Sequence, residues 1–274
     1  MSDRPAPAPE PLPAPALDAH THLDMLPGPV ERILEQARLA NITRVVTVGC
    51  DLKSARWAAD CAAAQPGVYA AVAIHPNETA RAAASAAERD CVLGEIADLA
   101  GLPAVRAVGE TGLDYYRDSS PPQIQREWFA AHIEIAKRIG KALMIHDREA
   151  HADVLAMLAA EGAPEHVIFH CFSGDAALAR ACADAGYVMS FAGNVTFGTA
   201  AALREAVAAA PADLILAETD APFLTPVPNR GKTNAPAQVA HTLRALARLK
   251  GMDVAELAAA VVATGERVYG RWDD

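Results

Sequence analysis

The stretch that decides the fold lies at residues 16–22 and reads Ala16-Leu17-Asp18-Ala19-His20-Thr21-His22. It is apolar at its start and ends in two histidines separated by Thr21. Successive side chains of a strand point to opposite faces, so Asp18, His20 and His22 share one face. Two imidazoles on one face of a rigid strand can hold a single metal ion, and this stretch is therefore a candidate metal-binding strand.

Seven further runs of this kind follow, and they are short, mostly continuous and rich in β-branched residues. Strands that are buried on both faces have this composition. The runs are Arg44–Gly49, Val68–His75, Ala104–Glu110, Ala142–His146, His166–Cys171, Tyr187–Phe191 and Asp213–Asp220.

Segments of helical length separate these runs, and most of them stop at Gly or Pro, as helices commonly do. The predicted helices are Pro29–Ala40, Ser54–Gln65, a helix from about Glu88, Pro122–Ile139, Arg148–Glu161, Asp175–Ala185, Thr199–Ala210, Pro236–Leu249 and Asp253–Trp272. Eight strands that alternate with helices predict an α/β fold with parallel pairing. We expect a closed (β/α)₈ TIM barrel.

The chain has 274 residues, a length that such a barrel reaches as one domain. We expect a single barrel domain over residues 17–274. Residues 1–16 are rich in Pro and Ala, with proline at every second position from Pro5 to Pro15. This composition predicts a disordered N-terminal tail that does not pack onto a core.

The charge balance excludes one class of DNA-binding protein. There are 24 Lys and Arg residues against 34 Asp and Glu residues, a net charge of −10. Proteins that coat duplex nucleic acid need a general basic surface, whereas a local phosphate site does not. No apolar run approaches the roughly 18 residues of a membrane helix, and residues 1–16 do not resemble a secretory signal.

The five cysteines are odd in number and form no C-x-x-C motif, which is not the pattern of a disulfide framework. We therefore expect a cytoplasmic protein without a membrane partner, and a monomer. Cys171 lies beside His170 and is an alternative nucleophile, but the sequence specifies no base for it.

Ligand-type residues close four of the other runs, at the strand ends where the active sites of (β/α)₈ barrels lie. They are Glu110, His146, His170 and Asp220. With His20 and His22 they make a set of four histidines and two carboxylates, which suits two divalent ions. Nitrogen and oxygen ligands of this kind accept Zn, Mg, Mn or Fe. The charge of two such ions would exceed that of the carboxylates and attract a phosphate-bearing substrate.

Several blocks of the sequence, in this order, resemble the TatD family of metal-dependent deoxyribonucleases, within the amidohydrolase-like barrels. The resemblance covers about residues 17 to 270. The blocks are Asp18–Asp24, Ile74-His75-Pro76, Gly109–Tyr116, His146–Ala150, His170–Gly174 and Glu218–Leu224.

The resemblance implies a role for each predicted ligand. His20, His22 and Asp220 would bind one ion, and His146 and His170 would bind the second. Glu110 would bridge the two ions. It also implies cleavage of phosphodiester bonds in DNA, often from the 3′ end. The sequence departs from the common pattern at Asp147, where Ser or Thr is frequent, and at Ala235, where Glu is frequent.

The expected function is that of a metal-dependent hydrolase of ester bonds, a TatD-like deoxyribonuclease. We expect a 3′–5′ exonuclease on single strands or DNA ends that uses a metal-activated water at a two-metal site. Asp220 is the candidate catalytic base, and Glu218 is the alternative candidate. Asp18 is a candidate hydrogen-bond partner for a ligating imidazole. Arginine forks can hold flanking phosphates and tyrosine rings can stack on bases. The candidate substrate contacts are His75, Tyr115, Tyr116, Arg117, Arg148, Arg230 and Lys232.

Two other functions stay open at this point. One is a metal-dependent esterase or amidohydrolase that acts on a small ester, an amide or aminoacyl-tRNA. Related barrels often bridge their metals with a modified lysine, but none of the five lysines here closes a strand, which favours Glu110 as the bridge. The other is a barrel that binds metal without catalysis.

Overall fold

The eight predicted strands are all present in the computed structural model of the protein, which describes residues 4–272. They are β1 (Ala16–Thr21), β2 (Ile42–Gly49), β3 (Val68–Val72), β4 (Val105–Asp114), β5 (Ala142–Arg148), β6 (Val167–Phe169), β7 (Val188–Phe191) and β8 (Ile215–Ala217). Their spatial order in one eight-stranded sheet is their order along the chain. The predicted (β/α)₈ barrel is confirmed.

Ten α-helices alternate with the strands within the described residues. They are α1 (Val30–Leu39), α2 (Leu52–Ala64), α3 (Thr79–Ala82), α4 (Ala86–Gly101), α5 (Pro122–Ile139), α6 (His151–Glu161), α7 (Ala176–Asp184), α8 (Ala201–Ala209), α9 (Val239–Lys250) and α10 (Val254–Tyr269). The longest, α5, begins at a proline and ends before Gly140, whose φ of 67° provides a left-handed cap. Among residues 4–272 no helix has the length and apolar character needed to cross a membrane.

The chain is arranged as two compact units. Residues 47–170 form the first, which we call the central unit. In it β3, β4, β5 and β6 pair in parallel. The register of β4 and β5 places Gly112 opposite His146 and Asp114 opposite Arg148. The carboxyl ends of these two strands, with their polar side chains, therefore lie side by side.

The second compact unit, which we call the terminal unit, comprises the described residues 4–46 and 171–272. Here β7 pairs with β8 in parallel, and Thr21 at the end of β1 bridges to Ala221 beyond β8. Two backbone hydrogen bonds reinforce this meeting, from Asp220 N to His20 O at 3.0 Å and from His22 N to Ala221 O at 2.8 Å. The first and last strands of the chain are thus neighbours, as barrel closure requires.

Residues 4–16 differ from the predicted disordered tail, because they make specific contacts within the terminal unit. Thr233 N donates to the carbonyl of Arg4 at 2.9 Å, and Gln238 Nε2 donates to the carbonyl of Pro7 at 2.9 Å. Leu12 is only 3% exposed. A proline-rich segment makes no internal hydrogen bonds, so its carbonyls can accept bonds from other segments. The donors lie more than 200 residues away in the chain, where composition gives no sign of them.

This docking gives a first prediction. Leu12→Ala is expected to lower the free energy of unfolding by about 2–4 kcal/mol, because it removes a buried side chain. Leu39→Ala is the matched control, since Leu39 is 71% exposed. It should change stability by no more than about 0.5 kcal/mol. Urea denaturation measures both, and equal small effects would show that the tail does not pack in solution.

A second prediction concerns His132 on α5, which is fully buried and lies with Nδ1 2.9 Å from Thr111 Oγ1. Burial lowers the pKa of His132 from 6.5 to about 3. The unfolded chain therefore binds a proton that the folded chain excludes. The stability that the neutral imidazole contributes is complete above pH 6.5 and is lost toward pH 3.

His132→Gln removes this titration and retains an amide beside Thr111. Between pH 7 and pH 5 the wild type should lose more unfolding free energy than the variant. The difference should approach about 1.4 kcal/mol per pH unit below the unfolded pKa. Urea denaturation at the two pH values checks this, and parallel pH profiles would contradict it.

Candidate metal centre

Three ligand-type side chains of the terminal unit converge where β1 meets the end of β8, and we call them the β1/β8 cluster. His20 Nε2 and His22 Nε2 are 3.3 Å apart. Asp220 Oδ1 lies 3.7 Å from His20 Nε2 and 3.5 Å from His22 Nε2. Ligands at about 2.1 Å from one ion are separated by about 3 to 3.5 Å. The three atoms therefore have nearly the spacing that a single cation would need.

A buried pair of side chains fixes β1 against the segment after β8. Thr219 N donates to Asp18 Oδ1 at 2.8 Å, and Thr219 Oγ1 donates to Asp18 Oδ2 at 2.6 Å. Burial raises the pKa of the Asp18 carboxyl well above its ordinary value, although the bonds from Thr219 oppose the shift. The partner that the structure shows for Asp18 is thus Thr219 rather than a ligating imidazole. The Asp18–Thr219 pair fixes the position of His20 and His22 relative to Asp220.

The central unit contains a second group, the Glu110 cluster, which comprises Glu110, His75, His146 and His170. Glu110 Oε2 lies 2.7 Å from His170 Nε2, 3.3 Å from His146 Nδ1 and 3.8 Å from His75 Nε2. Burial alone would raise the pKa of Glu110, but the imidazoles of His170, His75 and His146 hold it well below its ordinary value. A buried carboxylate is therefore ionised at the centre of three imidazoles.

The orientation of His146 is set by Asp114. His146 Nε2 lies 3.2 Å from Asp114 Oδ2, while His146 Nδ1 lies 3.3 Å from His170 Nε2. Burial would lower the pKa of His146, but the bonds to Asp114 and Glu110 raise it. A carboxylate on one imidazole nitrogen commonly orients the other nitrogen toward a metal. His146 is thus prepared to offer Nδ1 to a cation.

His75 has a different orientation. Its Nδ1 accepts the backbone N–H of Asn77 at 3.0 Å. Burial lowers the pKa of His75 to about 3, which keeps the ring neutral near pH 7. A neutral imidazole that accepts at Nδ1 carries its hydrogen on Nε2, the atom that faces Glu110. In this tautomer His75 presents a hydrogen-bond donor to Glu110, and the sequence analysis named it as a candidate substrate contact.

The two candidate bases differ in their access to solvent. Asp220 keeps 14% of its side chain exposed. Glu218 is fully buried, and its Oε1 accepts the backbone N–H of Cys171 at 2.8 Å. Asp220 can therefore meet a water molecule at the cluster, whereas Glu218 supports the backbone after β6.

The predicted substrate contacts of the central unit lie near the ends of β4 and β5. Arg148 stacks over the ring of Tyr116, with its guanidinium carbon 3.9 Å from the ring centre, and Tyr116 is well exposed. Arg117 is exposed as well. The hydroxyl of Tyr115 donates to Asp153 Oδ2 at 2.7 Å. Tyr116 and Arg148 thus present an exposed aromatic and cationic surface, while Tyr115 is tied to α6.

In the terminal unit the predicted contacts lie on the segment between β8 and α9. Arg230 stacks over Phe197 at 4.2 Å from its guanidinium carbon to the ring centre. Lys232 Nζ lies 3.2 Å from Asn229 Oδ1. This segment therefore carries two cations beyond the β1/β8 cluster.

Three residues that sequence reasoning left without a role support the clusters. Asp114 orients His146, and the backbone N–H of Arg117 donates to Asp114 Oδ1 at 2.9 Å. Cys50 Sγ donates to Glu110 Oε1 at 3.2 Å, and Thr219 holds Asp18. Asp114 could have been found from alternation, because it lies on the same face of β4 as Glu110 and Gly112. Cys50 and Thr219 give no such signal.

The donor atoms present fit divalent metal ions. Both clusters combine imidazole nitrogens with carboxylate oxygens, and His20, His22, Glu110 and His170 are buried. Buried charges and imidazoles grouped in this way normally coordinate metals or pair with one another. Both clusters therefore have the donor atoms and burial that a bound divalent ion would need.

Comparisons with known proteins agree with this conclusion. A sequence model of the family described as TatD related DNase matches residues 17–270. An uncharacterized metal-dependent hydrolase TatD of Mycobacterium tuberculosis is 48% identical over 93% of this chain and 97% of its own. A second relative, the uncharacterized metal-dependent hydrolase YabD of Bacillus subtilis, is 38% identical over 92% of this chain and 98% of its own.

A solved structure shows the same architecture. The crystal structure of YjjV, a TatD homologue from Escherichia coli, covers 93% of this chain and 98% of its own, with a TM-score of 0.87 and 25% identity. The match of the family model over nearly the whole barrel and the identity to curated relatives lead to one conclusion. The chain belongs to the TatD family of metal-dependent hydrolases.

Proposed function

We propose that the protein is a metal-dependent deoxyribonuclease that removes nucleotides from single strands or DNA ends in the 3′–5′ direction. The observation that carries this proposal is the ionised Glu110 carboxylate among His170, His146 and His75. An anion buried among imidazoles is an arrangement that attracts divalent cations, and such cations attract phosphate esters. The description of the family as DNases supports DNA as the substrate.

The proposal assigns two divalent ions, one to each cluster. His20, His22 and Asp220 would hold one ion, and Glu110, His146 and His170 would hold the other. When bound, such ions lower the pKa of a coordinated water and neutralise charge on the phosphate. Mixed nitrogen and oxygen ligands accept Zn, Mn, Mg or Fe, and metal availability selects among them.

The side chains of the protein would then perform the proton transfer and hold the substrate. Asp220 accepts the proton of the attacking water, because its carboxylate is the accessible one. His75 donates its Nε2 hydrogen to a phosphoryl oxygen. Arg148 and Arg230 would each pair with a phosphate of the substrate, since the guanidinium fork matches phosphate oxygens.

We place this enzyme in the cytoplasm as a monomer with DNA as its macromolecular partner. The five cysteines, all within the described residues, form no disulfide. Reduced thiols are typical of proteins in a reducing compartment, which supports the placement.

The test uses single-stranded oligonucleotides that carry a 5′ fluorophore, with Mn²⁺, Mg²⁺ or Zn²⁺. We expect a ladder of products shortened from the 3′ end, which EDTA stops and added metal restores. A second oligonucleotide with a blocked 3′ terminus should persist. A parallel panel contains p-nitrophenyl acetate and aminoacyl-tRNA, and turnover of these esters with intact oligonucleotides would overturn the proposal.

A further inference from the structure

An exposed aromatic ring lies directly beside the β1/β8 cluster. Phe223 follows Asp220 by three residues and is 40% exposed. Its ring centre is 6.2 Å from that of His22, and the two ring planes meet at 74°. A large apolar ring that is exposed to water lacks the stabilising free energy that burial would give it. A bound molecule at the cluster would recover it by covering the ring.

The backbone holds this ring at a defined place relative to Asp220. Phe223 N donates to the carbonyl of Asp220 at 2.8 Å. Asn234 Nδ2 donates both to the carbonyl of Phe223 and to that of Thr219. Asn234 is itself fully buried. The backbone that carries the ring is therefore restrained before any ligand arrives, which reduces the entropy lost on binding.

The rest of the segment indicates what kind of molecule the ring would meet. Between Phe223 and α9 it carries Arg230 and Lys232, and Arg230 is exposed. One exposed ring followed by cations is the combination that binds single-stranded nucleic acids, where bases stack and phosphates pair with cations. A small ester or amide would need neither feature.

We propose that Phe223 is the stacking platform for the base of the 3′-terminal nucleotide, while the phosphate of that nucleotide lies at the β1/β8 cluster. This inference rests on the proposed nuclease function and specifies its substrate. A base inside a duplex is already stacked and paired, so the platform selects unpaired 3′ ends. Phe223 is thus a specificity-determining residue.

The test compares two proteins on two substrates. Wild type and Phe223→Ala are compared on a single-stranded oligonucleotide with a normal 3′-terminal thymidine and on one with an abasic terminal residue. For the wild type, kcat/KM should be about 5- to 150-fold lower on the abasic substrate, the range found for loss of one base–aromatic stack. Phe223→Ala should lose the same factor on the normal substrate and none on the abasic one.

Two further variants define the cause. Phe223→Trp retains an aromatic face and should keep the discrimination. Leu102→Ala replaces an exposed apolar side chain just beyond α4 and should behave as the wild type on both substrates. Equal discrimination by the wild type and Phe223→Ala, or none by the wild type, would overturn the assignment while leaving the nuclease function intact.

A binding measurement separates failure of this inference from failure of the proposed function. An oligonucleotide with 2-aminopurine at its 3′ end and a hydrolysis-resistant phosphorothioate at its terminal linkage is titrated with protein in the presence of Mn²⁺. Stacking on Phe223 should quench the fluorescence with wild type and not with Phe223→Ala. If neither substrate is cleaved, this readout still decides the question, and identical quenching by both proteins overturns the stacking role.

Discussion

Replacement of Glu110 by Gln is expected to reduce hydrolysis of single-stranded oligonucleotides by about a thousandfold or more. The amide keeps the size of the side chain and an oxygen that can accept the bond from Cys50 Sγ. It removes the negative charge that the imidazoles of His170, His75 and His146 stabilise. Metal-assisted hydrolysis depends on several kcal/mol of charge stabilisation, which corresponds to a loss on the order of 10³-fold.

Two measurements accompany this variant. Metal content by mass spectrometry should fall relative to the wild type, and circular dichroism should show an unchanged fold. Glu35→Gln on the exposed face of α1 removes the same charge far from any ligand in the sequence and should retain full activity. Nuclease activity that persists in Glu110→Gln would show that the Glu110 cluster is not the hydrolytic site.

The second large effect is expected from the pair Asp220→Asn and Glu218→Gln. Asp220→Asn should lower kcat by about 10²- to 10⁴-fold, because the amide cannot accept a proton from water. Glu218→Gln retains an oxygen to accept the N–H of Cys171 and should lower kcat by less than about tenfold. Single-turnover assays on one oligonucleotide compare them directly. The reverse order of effects would assign the base to Glu218 and exclude Asp220.

The strand-end residues could be read from the sequence because two simple rules act together. Side chains alternate along a strand, and a barrel places its functional groups at the carboxyl ends of its strands. His20 on β1, His22 just after it, and Glu110 and His146 on β4 and β5 follow from these rules. The structure brings His20 and His22 together with Asp220, and Glu110 with His146 and His170.

Strand length was less predictable than strand position. The apolar run that ends at Glu110 predicts a strand of that extent, but β4 continues to Asp114. Polar residues do not end a strand when its backbone still pairs, and here β4 pairs with β5 as far as Arg148. Because the predicted strand ended at Glu110, the role of Asp114 at the end of β4 was not predicted.

Local composition also misjudged the N-terminal segment. Pro-rich sequence rarely packs, since proline has no backbone N–H to donate and its extended form makes no internal hydrogen bonds. Leu12 nevertheless finds a buried position, and Arg244 donates to the carbonyls of Glu10 and Pro11. Whether such a segment docks depends on donors supplied by α9, which the segment itself does not encode.

The order of strands and helices, the barrel class and the choice of candidate metal ligands came from the sequence alone, because periodicity and strand-end position are local properties of the chain. The tertiary structure alone decided which donor atoms of these side chains lie together in each cluster. Asp18 meets Thr219 across 201 residues and Asp114 meets His146 across 32. Hydrogen-bond partners so far apart are chosen by the packed fold, and they set tautomer, charge and orientation at the site.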